Sequence, residues 1–155
     1  ACEMLMGRET LAEGLTRKLD NNEEFNLGDL TVRTLFTPGH TSDSYCFLIS
    51  DRLFTGDTLL IGETGRTDFQ NGNSESAYNS LFEILLKLPD DTIVYPGHDY
   101  NGRSSSTIGE EKKTNPRLQV KSQREYVDMM SNLKLSYPKK MDVSIMKNLK
   151  LGKNK

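Results

Sequence analysis

At 155 residues and 17.5 kDa the chain is sized for one domain, residues 1–155, because single cores stop growing only beyond about 250 residues. Hydrophobic residues make up 35% and charged residues 27%, with a mean hydropathy of −0.60, which is polar for a globular chain but above the composition of a disordered one. Twenty Lys and Arg against 22 Asp and Glu leave a net charge of −2, so no overall field favours nucleic acid or an anionic membrane, and no apolar run approaches the roughly 20 residues of a spanning helix.

The two cysteines, Cys2 and Cys46, lack CxxC spacing and cannot build a disulfide framework, which fits a reducing compartment or thiols that are incidental. No signal-peptide pattern is visible. The chain opens Ala1-Cys2-Glu3-Met4 without an initiator Met, so it is expected to be a piece of a longer protein.

In chain order, Leu11, Leu15 and Leu19 at four-residue spacing predict a short amphipathic helix over 8–19. The acidic, Asn-rich stretch 20–28 reads as turn material. Leu30 to Phe36 mostly alternates apolar and polar residues as a half-buried strand does, and Pro38-Gly39 ends it. Tyr45 to Ile49 and Leu53 to Thr55, separated by Ser50-Asp51-Arg52, predict a hairpin. The glycine-punctuated stretch 56–73 exceeds the length of a casual loop and points to function. A helix is predicted from an N-cap at Ser74 to Pro89, with Tyr78, Leu81, Phe82, Leu85 and Leu86 on one face, followed by a strand at Thr92 to Tyr95. Thr107 with Glu110, and Ser122 with Glu125, have capping-box spacing and open two further helices. Beyond Leu133 the Lys-rich tail reads as solvated surface or a frayed end.

Chemistry is concentrated at three strand ends. The two histidines follow strands and Pro-Gly pairs, in Thr37-Pro38-Gly39-His40-Thr41 and Tyr95-Pro96-Gly97-His98-Asp99, where the glycine turns the backbone and aims the imidazole at the sheet's rim. Phe54-Thr55-Gly56-Asp57-Thr58 repeats the pattern with a carboxylate. Two imidazoles and one carboxylate suit non-haem Fe(II) with open coordination positions, or Zn in a tetrahedral site. Each residue alone also has a bland reading, as an exposed turn histidine or an Asp bonding its own backbone; the conjunction makes the metal site. Arg66, in Gly65-Arg66-Thr67-Asp68-Phe69, fits equally a loop cation paired with Asp68 and a bidentate clamp on a substrate carboxylate. Tyr78, Tyr95 and Tyr100 read first as packing residues, with a phenol at a cleft edge able to hydrogen-bond a substrate. Cys46, in an apolar strand with nothing near to lower its thiol pKa, reads as a core residue and not a nucleophile.

Taken in order, Thr37-Pro38-Gly39-His40-Thr41, Phe54-Thr55-Gly56-Asp57, Gly65-Arg66-Thr67-Asp68-Phe69-Gln70, Tyr95-Pro96-Gly97-His98-Asp99-Tyr100 and Thr114-Asn115-Pro116-Arg117-Leu118 resemble the carboxy-terminal part of the ETHE1-type persulfide dioxygenases of the metallo-β-lactamase superfamily. The resemblance runs from about Leu30 to Leu133. It implies an α/β fold, the αββα sandwich of that superfamily, incomplete because the amino-terminal portion is absent. It implies one Fe(II) per chain, with Zn as a substitute, oxidising glutathione persulfide with O2 to sulfite and glutathione. By the same resemblance His40 and Asp57 are iron ligands, His98 is a second-metal or outer-site residue, and Arg66 helps hold glutathione; Tyr78 and Tyr100 join Arg66 as expected substrate contacts on the reading of their phenols. A cytoplasmic location, or the mitochondrial matrix in a eukaryote, follows from the family as well.

The family's His-x-His-x-Asp-His motif, which brings the remaining iron histidine, does not occur in this sequence. The chain alone is therefore expected to be iron-poor and catalytically weak, and to associate with itself or with a chain that supplies the motif. The rival expectations are a glyoxalase II-like binuclear thioester hydrolase, with Asp57 bridging two metals and His98 on the second, and a non-catalytic truncated homologue.

Overall fold

A computed structural model describes residues 3–69, 71–137 and 141–152 of the chain. Cys2 and Gln70 lie outside the described residues.

The centre of the fold is a six-stranded mixed sheet. Its strands are β3 (Glu24–Leu27), β4 (Leu30–Phe36), β5 (Tyr45–Ile49), β6 (Arg52–Gly56), β9 (Ile93–Pro96) and β10 (Ser106–Thr107), in the order β10-β9-β6-β5-β4-β3. The expected hairpin is there, with Leu48 opposite Leu53. All neighbours are antiparallel except β6 and β9. Because β5 runs opposite to both β4 and β6, and β9 runs with β6, the three strands β4, β6 and β9 point the same way. Their carboxyl ends share one rim, and His40, Asp57 and His98 all follow those ends. Two short ribbons complete the strands: β1 (Leu5–Gly7) parallel to β2 (Arg17–Leu19), and β7 (Leu59–Leu60) antiparallel to β8 (Glu63–Thr64).

One face of the sheet carries the core. Leu35 lies opposite Cys46 and Leu53 opposite Val94, and α1 (Ser74–Asn79) with the turns that continue it, α2 (Ile108–Thr114) and α3 (Gln123–Ser131) bury Ala77, Leu81, Leu85, Ile108, Tyr126 and Met130 with them. The opposite face is a strip of Phe36, Tyr45, Phe47, Phe54 and Tyr95, met at Tyr45 by Gly7 of the small parallel ribbon. Phe54 stacks on Tyr95 at 5.4 Å and is 42% exposed, so this face is apolar but only partly covered.

Several expectations are corrected. Residues 8–19 do not form a helix: Gly14 takes φ +77, Thr16 donates its N–H to the Met4 carbonyl, and residues 17–19 pair as β2. Leu11 is left 80% exposed, so the leucine spacing marked no buried stripe. Within the expected turn 20–28, residues Glu24–Leu27 form the edge strand β3, closed onto β4 by the two residues Gly28-Asp29. The first helix is capped one residue earlier than expected, with Asn73 Oδ1 accepting from the Ser76 N–H, and it continues through a π turn (Ser80–Ile84) and a 3₁₀ turn (Leu85–Lys87). Thr107 and Ser122 do cap α2 and α3, but the reciprocal half of each box is absent. Glu110 pairs with Arg103 at 2.9 Å and Glu125 accepts from the Lys121 N–H. The tail contains a helix, α4 (Met141–Leu149), which leaves Val143 and Met146 more than half exposed.

Leu53 is fully buried in a central strand, whereas Leu27 at the sheet edge is 62% exposed. Leu53→Ala is expected to cost about 2–5 kcal/mol of unfolding free energy and Leu27→Ala less than about 0.5 kcal/mol, read from urea midpoints. Equal costs would mean the core does not lie on the helix-covered face.

Candidate metal centre and substrate cavity

Each of the three rim residues is delivered by the turn after its strand, and the turns differ in what fixes them. After β4, His40 Nδ1 lies 2.8 Å from the backbone carbonyl of Arg66. A carbonyl oxygen only accepts, so Nδ1 carries the proton and the lone pair of the neutral ring sits on Nε2. That is the arrangement in which a backbone acceptor orients a metal-binding imidazole. After β6, the register with β9 shifts between Phe54 and Gly56, and Thr55 Oγ1 donates to the Leu59 carbonyl at 2.7 Å, which bends the strand as it delivers Asp57.

The ring and the carboxylate converge. His40 Nε2 is 3.7 Å from Asp57 Oδ2, inside the roughly 4.2 Å that two metal–ligand bonds of about 2.1 Å can span. Both side chains are about three-quarters buried. His98, after β9, spends its Nδ1 on the other carboxylate oxygen, Asp57 Oδ1, at 2.6 Å, and its ring lies parallel to that of Tyr100 at 6.3 Å. The sequence-derived trio is thus together at one rim. Among the described residues, however, no group of three or more His, Cys, Asp or Glu side chains is arranged to hold an ion. One imidazole nitrogen with its lone pair outward and one carboxylate oxygen fit part of a divalent-metal donor set.

These groups open onto a cavity of about 510 Å³, a size typical of small-molecule sites. Besides His40, Asp57, His98 and Tyr100 its wall includes Leu60, Glu63, Thr64, Arg66, Phe69 and Arg117 from the 56–73 stretch and the Asn-Pro-Arg turn, so the long connection does build the site. Gly65 permits this: a Cβ there would lie 2.0 Å from the Asp57 carbonyl oxygen and 2.9 Å from the His40 Cβ.

Arg66 reaches the cavity with its donors engaged. Nε and Nη2 bond Asp68 at 2.7 and 2.8 Å, Nη1 donates to the Ser136 carbonyl at 2.9 Å, and Cζ lies 4.3 Å from the centre of the Phe69 ring. The guanidinium hydrogen bonds hold the Asp68 carboxyl below its usual range. Tyr78 is not at the cavity; it stacks on Phe82 at 4.3 Å and packs near Tyr126 in the helical layer. Leu135 and Ser136 also line the cavity, and sequence reasoning missed them because their place depends on where the chain returns after α3.

Cys46 sits in the core beneath the site, with Thr37 Oγ1 3.2 Å from its sulfur. Burial pushes its thiol up to about 11.

This geometry stands in a known family. The chain matches the model of the metallo-beta-lactamase superfamily over residues 8–98, and it belongs to that superfamily. Within it, the chain is 37% identical over 153 residues to the persulfide dioxygenase ETHE1, mitochondrial, of Homo sapiens, covering 97% of this chain and 59% of that protein. The crystal structure of ETHE1 from Myxococcus xanthus superposes with a TM-score of 0.92 at 44% identity, covering 96% of this chain and 66% of that one. A hydroxyacylglutathione hydrolase of Dictyostelium discoideum is 47% identical over 102 residues, covering 61% of this chain and 37% of that protein. The chain spans about three-fifths of the human relative's length.

With its pKa raised above the thiol's ordinary 9.0, Cys46 stays protonated in the fold at pH values where the unfolded chain has already lost that proton. Its contribution to stability is therefore full below pH 9 and falls as pH rises from 9 to 11. The drop in unfolding free energy across that window is expected to be smaller in Cys46→Ala than in the parent chain, and equal slopes would contradict the buried-thiol assignment.

Proposed function

We propose that this chain is the carboxy-terminal part of a persulfide dioxygenase in which His40 and Asp57 provide two of the protein ligands of a single Fe(II). The observation that carries the reading is the convergence of His40 Nε2 and Asp57 Oδ2 at 3.7 Å, with the imidazole already in the tautomer a metal requires. The similarity to proteins named persulfide dioxygenase over nearly the whole chain supports it. The reaction joins glutathione persulfide, O2 and one water to give glutathione and sulfite. Iron bound at His40 and Asp57 would supply the redox chemistry that couples O2 to a sulfur.

The chain's own residues do the positioning. The Arg66 carbonyl holds His40, and His98 holds the second oxygen of Asp57. Tyr100, at the cavity mouth and 76% exposed, offers a phenol to the carrier peptide, and Arg66 offers its face in the cavity wall while clasping Asp68 and Ser136. With two protein donors in place of three, the chain by itself holds the metal weakly. A mitochondrial matrix location in a eukaryote belongs to the same reading, in keeping with the human relative's name.

The binuclear hydrolase reading is favoured by the hydroxyacylglutathione hydrolase similarity. The dioxygenase similarity covers 97% of this chain against 61% for the hydrolase, which favours the dioxygenase reading.

In the whole protein, O2 uptake with glutathione persulfide and no hydrolysis of S-lactoylglutathione are expected. Asp57→Ala should remove iron and O2 uptake together. Hydrolysis with two metals per chain, or full iron content in the variant, would overturn the proposal.

A further inference from the structure

Three side chains from one short stretch hold three successive backbone positions, Gly62, Glu63 and Thr64, the last two in the cavity wall. Glu111, on α2, accepts the Gly62 N–H on Oε2 at 2.9 Å; Asn115, just past the helix, donates Nδ2 to the Glu63 carbonyl at 3.0 Å; Arg117 donates Nη1 to the Thr64 carbonyl. The three are tied to each other as well. Asn115 Nδ2 also donates to Glu111 Oε2 at 2.8 Å, Asn115 Oδ1 accepts the Arg117 N–H at 3.0 Å, and Arg117 Nη2 pairs with Glu63 at 3.1 Å.

Burial makes this arrangement informative. Glu111 and Asn115 are both 0% exposed, and Glu111 Oε1 has no hydrogen-bond partner among the described residues. A carboxylate buried with one oxygen unpaired is costly, and an apolar residue of similar size would avoid that cost only by leaving the Gly62 N–H and an Asn115 N–H without their acceptor. Glu111 is thus explained by the groups it bonds and not by apolar packing. What its oxygen does instead is fix the turn of the β7–β8 ribbon, from which the chain passes directly through Gly65 to Arg66, whose carbonyl accepts the proton of His40. Gly65 packs against His40 and the Asp57 backbone so closely that a shift of the ribbon is transmitted to both.

We infer that Glu111, Asn115 and Arg117 form a positioning unit that sets the tautomer and orientation of His40 through the β7–β8 ribbon. They touch neither the ring nor the reacting atoms. The hold on His40 needs no metal; that it matters for one rests on the reading proposed above.

The chain has only two histidines, so their ring nitrogens are resolved without ambiguity in two-bond ¹H–¹⁵N spectra of the uniformly labelled chain, recorded metal-free about two pH units above the ordinary imidazole pKa of about 6.5. The parent chain is expected to show His40 fixed with its proton on Nδ1. Glu111→Ala should move both His40 nitrogens toward the averaged values of a free imidazole while circular dichroism keeps its helical signal. Glu111→Gln, whose amide oxygen can still accept from Gly62, should restore the parent pattern. Should Glu111→Ala melt the chain, Arg117→Ala, which leaves the buried pair in place, decides by the same signals. An unchanged His40 pattern in a folded Glu111→Ala or Arg117→Ala chain, or no rescue by Gln, would overturn the inference. Because no metal or substrate is present, a failed dioxygenase assay would leave this result standing, and the converse holds too.

Discussion

The hydrogen bond from His40 Nδ1 to the Arg66 carbonyl is the contact on which the chemistry of this rim depends. It leaves the ring's lone pair on Nε2 and turns it toward Asp57. In the other tautomer Nε2 would carry the proton and the carboxylate would face a donor instead of a lone pair. The carbonyl is held by the chain running out of the β7–β8 ribbon, so a loop that looks irregular is in fact braced at Gly62, Glu63 and Thr64. Arg66 contributes twice: its backbone fixes the histidine, while its side chain clasps Asp68, Phe69 and the Ser136 carbonyl and closes one wall of the cavity.

Strand direction does the larger share of the assembly. Three strands running the same way bring three turns to one rim without any long-range signal in the sequence, and the apolar residues that hold those strands on α1, α2 and α3 are therefore also what keeps the rim groups in register. The bulge in β6 and the close approach at Gly65 make the final adjustment. The second face of the sheet is aromatic and only partly covered, with Phe54 and Tyr95 stacked across β6 and β9.

Much of this was legible from residues alone, for physical reasons that differ by element. Strand β4 could be read because alternation is a strong local signal, β5 and β6 because two apolar runs meet across a three-residue turn, and the caps at Thr107 and Ser122 because a hydroxyl accepting an N–H three residues on needs no tertiary help. His40, Asp57 and His98 could be grouped because a turn after a strand aims its side chain at a rim. The failures were equally physical. Leu11, Leu15 and Leu19 carry helical spacing, but pairing with residues 5–7 governs that segment. The edge strand at Glu24–Leu27 alternates polar and apolar residues over only four positions, too short a pattern to stand out, and an exposed edge buries almost nothing. Tyr78 shares the chemistry of Tyr100 and not its place, which only the packing of α1 on α3 decides. The roles of Glu111 and Asn115 were invisible, since a buried acid and amide in a helix end look like any solvated pair until their surroundings are known.

The proposal that one ion is shared by His40 and Asp57 can be tested on the chain itself by titrating Co(II) while following the ring nitrogens of both histidines. Paramagnetic shifts are predicted at His40, with Nε2 affected more than Nδ1, and they should vanish in Asp57→Ala. Shifts confined to His98, or a His40 response that survives loss of the Asp57 carboxylate, would contradict the shared site.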